Sequence, residues 1–529
     1  MISNREKNWI VGSIFVFAAV MGIAYVVRGR LSGDEGWYLH ASKLVMDGKA
    51  PYSDFFFTQA PLLPYIFGPV LRLIGESYYA GRTLCLALLL AGMGMMWKVS
   101  RDISGPAGEI VATALVGLNL FVIMQACSVM TPALALFFIT ASVFSLRSSC
   151  SPPMRAILSV LFMSMGAMVR LSLLPAVPLL VIYLYLAEGK RTSIVVVAIV
   201  TAVIALGAML LPFVYLGGDR FFFGALGFHT SSRLASPALF IRYKLGFIGG
   251  CIREYLPVVF LGAVMITSLV LRFRRRSGGE FITYLKRNHF PVYLGATAVL
   301  VTLSHLTITM PWPTYEVMLL PLMALVIGAW TWSRLSSLNL GRKATLLAVI
   351  SIIILACLAM PLEEYAVDAG GPFSPVEKMF EVCRFIEQNA RRPITILTLD
   401  AGIAYQGGFD LLPGLEMSEF SYFPTWSRER CGAYNVVNVD ILREAIGDGV
   451  PGIIALRNRD IYMIGGKNPA GFMDLIRSRY RWINTATQYG QFYEPLHIFK
   501  RKKEVTCPGG KASPGPETFP GIPDHLLPW

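Results

Sequence analysis

The chain has 529 residues, 54% of them hydrophobic and only 15% charged, with a formal net charge of +14. Soluble proteins average about 25% charged residues, so an ordinary cytosolic enzyme is excluded, as is disorder over most of the length. Residues 1–361 hold 29 bases and 13 acids, whereas residues 362–529 hold 18 and 20. The cations thus lie among hydrophobic segments, which fits a positive-inside bias rather than nucleic-acid binding.

Taken in chain order, about 11 apolar segments are long enough, or nearly so, to span a bilayer: 9–27, 82–99, 108–127, 131–146, 155–172, 174–187, 193–216, 255–273, 291–308, 315–333 and 344–361. The first follows Arg5 and Lys7 and is closed by no small-x-small cleavage site, so it reads as an uncleaved anchor. Alternate loops carry Lys98 and Arg101, Arg147 and Arg155, Lys190 and Arg191, the run Arg272 to Arg287, and Arg334 to Lys343. These loops and the N-terminus are expected in the cytoplasm of a multi-pass inner-membrane protein. Loops 28–81 and 217–254 then lie outside, and an odd number of spans places the C-terminal part outside too.

That C-terminal part, residues 362–504, reads as a compact α/β domain. In PVEKMFEVCRFIEQN, Val376, Met379, Phe380, Cys383 and Ile386 recur at helical spacing. Strand-like runs occupy 394–399, 452–456 and a stretch ending near Phe499. Residues 505–529 are rich in Pro and Gly and are expected to be disordered. The 8 cysteines form no CxxC pair and no metal-ligand cluster. The expected fold is a polytopic α-helical membrane protein, residues 1–361, with a C-terminal extracytoplasmic α/β domain.

The first outer loop carries the chemistry. Its core is GDEGWYLHASKLVMDGKAPYSDFFFTQAPLLPYI, residues 33–66, starting just after the first span. Asp34 and Glu35 are adjacent acids in the first turn of an amphipathic segment. Trp37, Tyr38, Leu44 and Val45 are available to the membrane interface. On spacing alone, the acid pair reads equally as the acidic start of a helix.

The whole stretch resembles the first external loop of the GT-C glycosyltransferases. The nearest likeness is to the glycosyltransferase family 39-like group of protein O-mannosyltransferases and lipid A aminoarabinose transferases. The shared features are the Asp-Glu pair, the aromatic helix, a Tyr-x-Asp turn at Tyr52 and Asp54, and a Pro-Leu run before the next span. The chain departs at Gln59-Ala60-Pro61-Leu62, where relatives carry a basic residue before two prolines.

The resemblance implies inverting transfer of a sugar from a polyprenyl-phosphate donor to a protein, lipid or glycan acceptor at the outer membrane face. Asp34 is then the general base, with Glu35 beside it. The departing phosphate requires cations, and Arg82, Arg170 and Arg233 are the candidates. Tyr52, Asp54, Gln59, His229, Trp312 and Tyr315 are candidate substrate contacts. No cofactor is certain: Asp34, Glu35 and Asp54 could share one divalent cation, or none. The alternative reading is a membrane transporter or lipid flippase, which should place its ionisable residues in mid-span. Here the acids lie mainly at loops and span ends.

Overall fold

A computed structural model of the protein describes residues 4–230, 237–274, 278–335 and 374–502. The expected span 344–361, Arg233 and the tail 505–529 lie outside the described residues. Each of the other expected spans is helical. The helices are α1 (Asn4–Arg28), α2 (Gly33–Met46), α3 (Leu62–Ile74), α4 (Tyr78–Ile103), α5 (Pro106–Gly117), α6 (Leu120–Cys127), α7 (Thr131–Leu146), α8 (Pro152–Val169), α9 (Ala176–Ala187) and α10 (Thr192–Gly217). Helices Leu256–Arg274 and His289–His305 follow, then a short turn of helix Pro313–Leu319 leading into Leu320–Leu335.

Among the described residues, six helices are long and apolar enough to cross a membrane. They are α1, α4, α8, α10, Leu256–Arg274 and Pro313–Arg334. The pair α5 and α6, bent by 56°, makes a seventh if taken as one broken span. Asn119 makes that bend. Its side chain accepts from the Val122 amide at 3.1 Å, capping a new helix where the old one stops. Helices α7 and His289–His305 are shorter, as are residues 171–187. The expected count of about 11 therefore resolves into six or seven full-length spans plus shorter apolar helices.

Residues 374–502 hold a five-stranded mixed sheet in the order β2-β1-β3-β5-β4. The strands are β1 (Thr395–Leu397), β2 (Asp410–Leu411), β3 (Ile453–Arg457), β4 (Tyr480–Tyr489) and β5 (Glu494–Arg501). β1 runs parallel to β2 and β3, while β5 is antiparallel to β3 and β4. Every residue of β3 is buried, as befits a central strand. The helix Pro375–Asn389 begins at Ser374, whose hydroxyl accepts from the Glu377 amide and donates to the Val27 carbonyl at the end of α1.

This domain sits directly on α2. Gly36 of α2 and Gly402 of the helix Ala401–Gly407 meet backbone to backbone. A Cβ built on Gly36 would lie 2.5 Å from the Gly402 amide nitrogen. The Gln406 side chain accepts from the Tyr78 amide, and Asn435 donates to the Ser53 carbonyl. The domain therefore shares a membrane side with the end of α1 and the loop 28–81. This docking corrects one expectation. Trp37, Tyr38 and Leu44 are at most 7% exposed, packed inside protein rather than offered to lipid.

Because backbone cannot yield to a new side chain, Gly36→Val should lift the domain off α2. A loss of roughly 1–3 kcal/mol is expected from such overpacking. Thermal unfolding in detergent should report it, with faster proteolysis within residues 374–502.

Candidate active site

The site is built on the first turn of α2. Ser32 caps it, its hydroxyl accepting from the Asp34 amide while Glu35 reaches back to the Ser32 amide at 3.0 Å. This capping box was present in the sequence as Ser32-x-x-Glu35. It turns Asp34 and Glu35 in different directions, and their surroundings differ completely.

Glu35 is fully buried against Arg82 of α4. Arg82 donates from Nε at 2.8 Å and from a terminal nitrogen at 2.6 Å. The carboxylate also accepts from the Val129 amide. Arg82 spends its remaining donors on the carbonyls of Tyr25, Gly29 and Arg30, closing the end of α1. The guanidinium has no donor left for a phosphate. Arg82 holds the scaffold, and Glu35 is its buried counter-ion.

Asp34 faces the other way and is partly open to solvent. Trp37 Nε1 donates to it at 3.2 Å. Burial pushes its carboxyl above the usual carboxylate range, opposed by the Trp37 hydrogen bond and by the positive charge of Arg170, and aided by Glu35. Tyr38, one turn along, is raised well above the ordinary phenol range, chiefly by burial. Both Asp34 and Arg170 act on Tyr38 and on Tyr315, so these four side chains share one field.

Arg170 sits where α8 ends, in extended backbone before the turn Leu171–Leu173. It donates to the Thr131 hydroxyl at 2.8 Å, and its guanidinium stacks 3.6 Å over the Tyr315 ring. Its Nε is buried and has no hydrogen-bond partner among the described residues. A buried guanidinium donor left unmatched fits an anionic ligand, since such groups are otherwise nearly always paired.

Sequence reasoning missed the layer beneath. His305, at the end of its helix, is fully buried. Its Nδ1 lies 2.7 Å from Glu316 Oε1, and its Nε2 lies 2.9 Å from the Ser172 hydroxyl. Thr302 donates to the other Glu316 oxygen. This network ties the turn after Arg170 to the turn holding Tyr315. The available signal was a His and a Glu flanking the aromatic, Pro-rich loop TMPWPTYE.

The other expected contacts do not converge here. Tyr52 is 1% exposed, donates to the Gln59 carbonyl and packs edge-on against Phe57, Phe213 and Phe221. Asp54 is exposed and accepts from the Ala50 amide at 2.7 Å, closing a tight turn. His229 bonds the Thr58 carbonyl and so ties the second outer loop to the first. Trp312 is 54% exposed. No group of three or more His, Cys, Asp or Glu side chains able to hold a metal occurs among the described residues. Asp34, Glu35 and Asp54 in particular are separated by the Arg82 pair and the Asp54 turn.

No family model matches the sequence, and no curated protein matches it. The structure does find neighbours. ArnT from Cupriavidus metallidurans bound to undecaprenyl phosphate matches with a TM-score of 0.58 and 14% identity, over 93% of this chain and 98% of that one. The Archaeoglobus fulgidus oligosaccharyltransferase in complex with Zn and sulfate matches at 0.53 and 11%, over 89% and 71%. AglB from the same organism, with an inhibitory peptide and a dolichol-phosphate, matches at 0.50 and 10%, over 94% and 74%. The fold is that of the GT-C membrane glycosyltransferases. The GT-C likeness runs through both the spans and the C-terminal domain, since it covers nearly the whole chain.

Two substitutions separate the roles of the adjacent acids. Glu35→Gln leaves Arg82 buried without a counter-charge, and breaking such a pair costs about 3–5 kcal/mol. Thermal unfolding in detergent should show that loss. Asp34→Asn should unfold within a few degrees of the parent, because the amide keeps its size and can still accept from Trp37.

Proposed function

We propose that this protein transfers a sugar from a polyprenyl-phosphate donor to an acceptor at the outer face of the cell membrane. The observation that carries the reading is the partly open Asp34 carboxylate sharing a field with Arg170, whose Nε is unmatched. Support comes from the GT-C fold shared with an ArnT bound to undecaprenyl phosphate and an AglB bound to a dolichol-phosphate.

In this reading Asp34 takes the proton from the acceptor hydroxyl as its oxygen attacks the anomeric carbon from the face opposite the phosphate. The bond from that carbon to the phosphate oxygen breaks, its electrons leave with the phosphate, and the anomeric configuration inverts. A carboxylate with a raised pKa is, once ionised, a stronger base than an ordinary one. The developing charge on the phosphate falls to Arg170, flat on Tyr315 and supported from below by His305 and Glu316. Arg233, in the second outer loop, is a further candidate for the phosphate. Arg82 has no part in it. The N-terminus then lies in the cytoplasm, and residues 374–502 lie outside with the site.

Asp34→Asn should lower transfer by roughly 10²- to 10⁴-fold, the usual contribution of a positioned general base. The assay is purified protein with a panel of undecaprenyl-phosphate monosaccharides, read by release of undecaprenyl phosphate. The parent rate should rise with pH as Asp34 loses its proton, with the midpoint above the ordinary carboxylate range. It should fall as the pH drops through that midpoint, and this acid limb should vanish in Asp34→Asn. A variant within a few-fold of the parent would reduce Asp34 to the acidic first turn of a helix.

Arg170→Ala should weaken donor use by about ten- to one-hundred-fold, the worth of a charge-assisted hydrogen bond of roughly 1.5–3 kcal/mol. Donor kinetics that do not change would remove Arg170 from the phosphate site.

A further inference from the structure

Asp34 lies between two neighbours that are each held from a different part of the chain. On one side, Glu35 is pinned by Arg82 of α4. On the other, the Gly33 amide donates at 3.1 Å to Oε1 of Gln491, a residue 458 positions away. Gln491 belongs to the tip 490–493 that joins β4 to β5. The tip is tightly turned, with Gly490 and Tyr493 both at positive φ. Its base is fixed by Tyr489, whose hydroxyl donates to Asp400 at 2.8 Å.

The first helical turn has N–H groups without partners inside the helix. In α2, Ser32 supplies acceptors for the amides of Asp34 and Glu35. The Gly33 amide is satisfied from the C-terminal domain instead. Two further contacts from this domain reach the same short segment. The Arg30 guanidinium lies 5.5 Å from the Tyr493 ring centre. Phe420 meets Trp37 edge-on at 6.4 Å, and Trp37 is the residue that bonds Asp34. All three contacts fall within residues 30–37.

We propose that Gln491 is a positioning residue for the Asp34 carboxylate: the hairpin tip clamps the first turn of α2 and keeps Asp34 in place beside Arg170. The inference rests on the catalytic reading of Asp34 given above. It makes the C-terminal domain part of the catalytic unit. A reacting group displaced by about 1 Å can lose 10²-fold in rate, so a clamp on the preceding residue has kinetic weight.

The test uses the full chain in detergent and three variants: Gln491→Ala, Gln491→Glu and Asp34→Asn. In Gln491→Ala, amide hydrogen exchange across residues 33–37 should accelerate. Turnover of an undecaprenyl-phosphate monosaccharide accepted by the parent should fall about tenfold in kcat, with KM for the donor within about twofold. Gln491→Glu keeps the accepting oxygen, so exchange should return to the parent level and kcat should largely recover. Its added charge joins the groups whose field Asp34 already shares, namely Trp37, Tyr38 and the oppositely turned Glu35 on α2, Arg170 at the end of α8 and Tyr315. The acid limb of the rate profile should therefore move to higher pH. Unchanged exchange in Gln491→Ala, or a Gln491→Glu variant no better than Gln491→Ala, overturns the clamp. Asp34→Asn is the separate control: full activity there overturns the catalytic reading, whatever the exchange data show.

Discussion

The arrangement depends on one buried ion pair. Glu35 and Arg82 meet with both side chains fully enclosed, at the point where α1 ends, α2 begins and α4 starts its span. Two charges removed from water are tolerated only with full hydrogen bonding. That requirement is met by three carbonyls at the end of α1 and by the Val129 amide before α7. A single pair thus gathers four chain segments around the first turn of α2. The same turn presents the neighbouring carboxylate to the other side, within the field of Arg170.

A second set of contacts closes the site from below. The ends of α8 and of the helix His289–His305 are joined through Ser172, His305 and Glu316, and this network supports the Tyr315 ring under Arg170. The pair Lys7 and Glu109, at 3.0 Å, links α1 to α5 in the same way. Both pairs place buried charge where an opposite charge meets it, as the low dielectric between helices demands. The apolar core runs without interruption from α1 to the C-terminal sheet, so membrane part and domain fold as neighbours with shared packing.

Much of this was legible in the sequence, for physical reasons. Apolar runs announce spans, and the runs at 131–146 and 193–216 match the helices Thr131–Leu146 and Thr192–Gly217 to within a residue. The strand-like run 452–456 is β3 displaced by one residue. Side-chain direction was not legible. Arg82 and Arg170 each stand beside an outer loop near a span end, and local sequence does not tell which has a carboxylate waiting 47 residues earlier. Trp37 and Tyr38 have the composition of an interfacial helix, and contacts distant in sequence make them interior, Phe420 of the docked domain against Trp37 and Thr131 beside Tyr38. Tyr52 and Asp54 looked chemical but close a turn, because a tyrosine hydroxyl and a carboxylate also satisfy backbone. His305 and Glu316 flank a Pro-rich loop 11 residues apart, a weak signal because the separation matches no helical or strand period.

Arg170 has one further consequence. Its Nε was taken out of water when the chain folded, and it gained no protein partner among the described residues in return. Desolvation of that donor is therefore already built into the stability of the ligand-free protein. An oxyanion arriving there needs to shed only its own hydration at that bond, while the protein recovers a hydrogen bond it had forgone. The same residue lies flat on an aromatic ring, so little side-chain freedom remains to be lost. Recognition at this position is prepared during folding, and the anion meets a guanidinium whose Nε is already out of water and whose plane is already held against a ring.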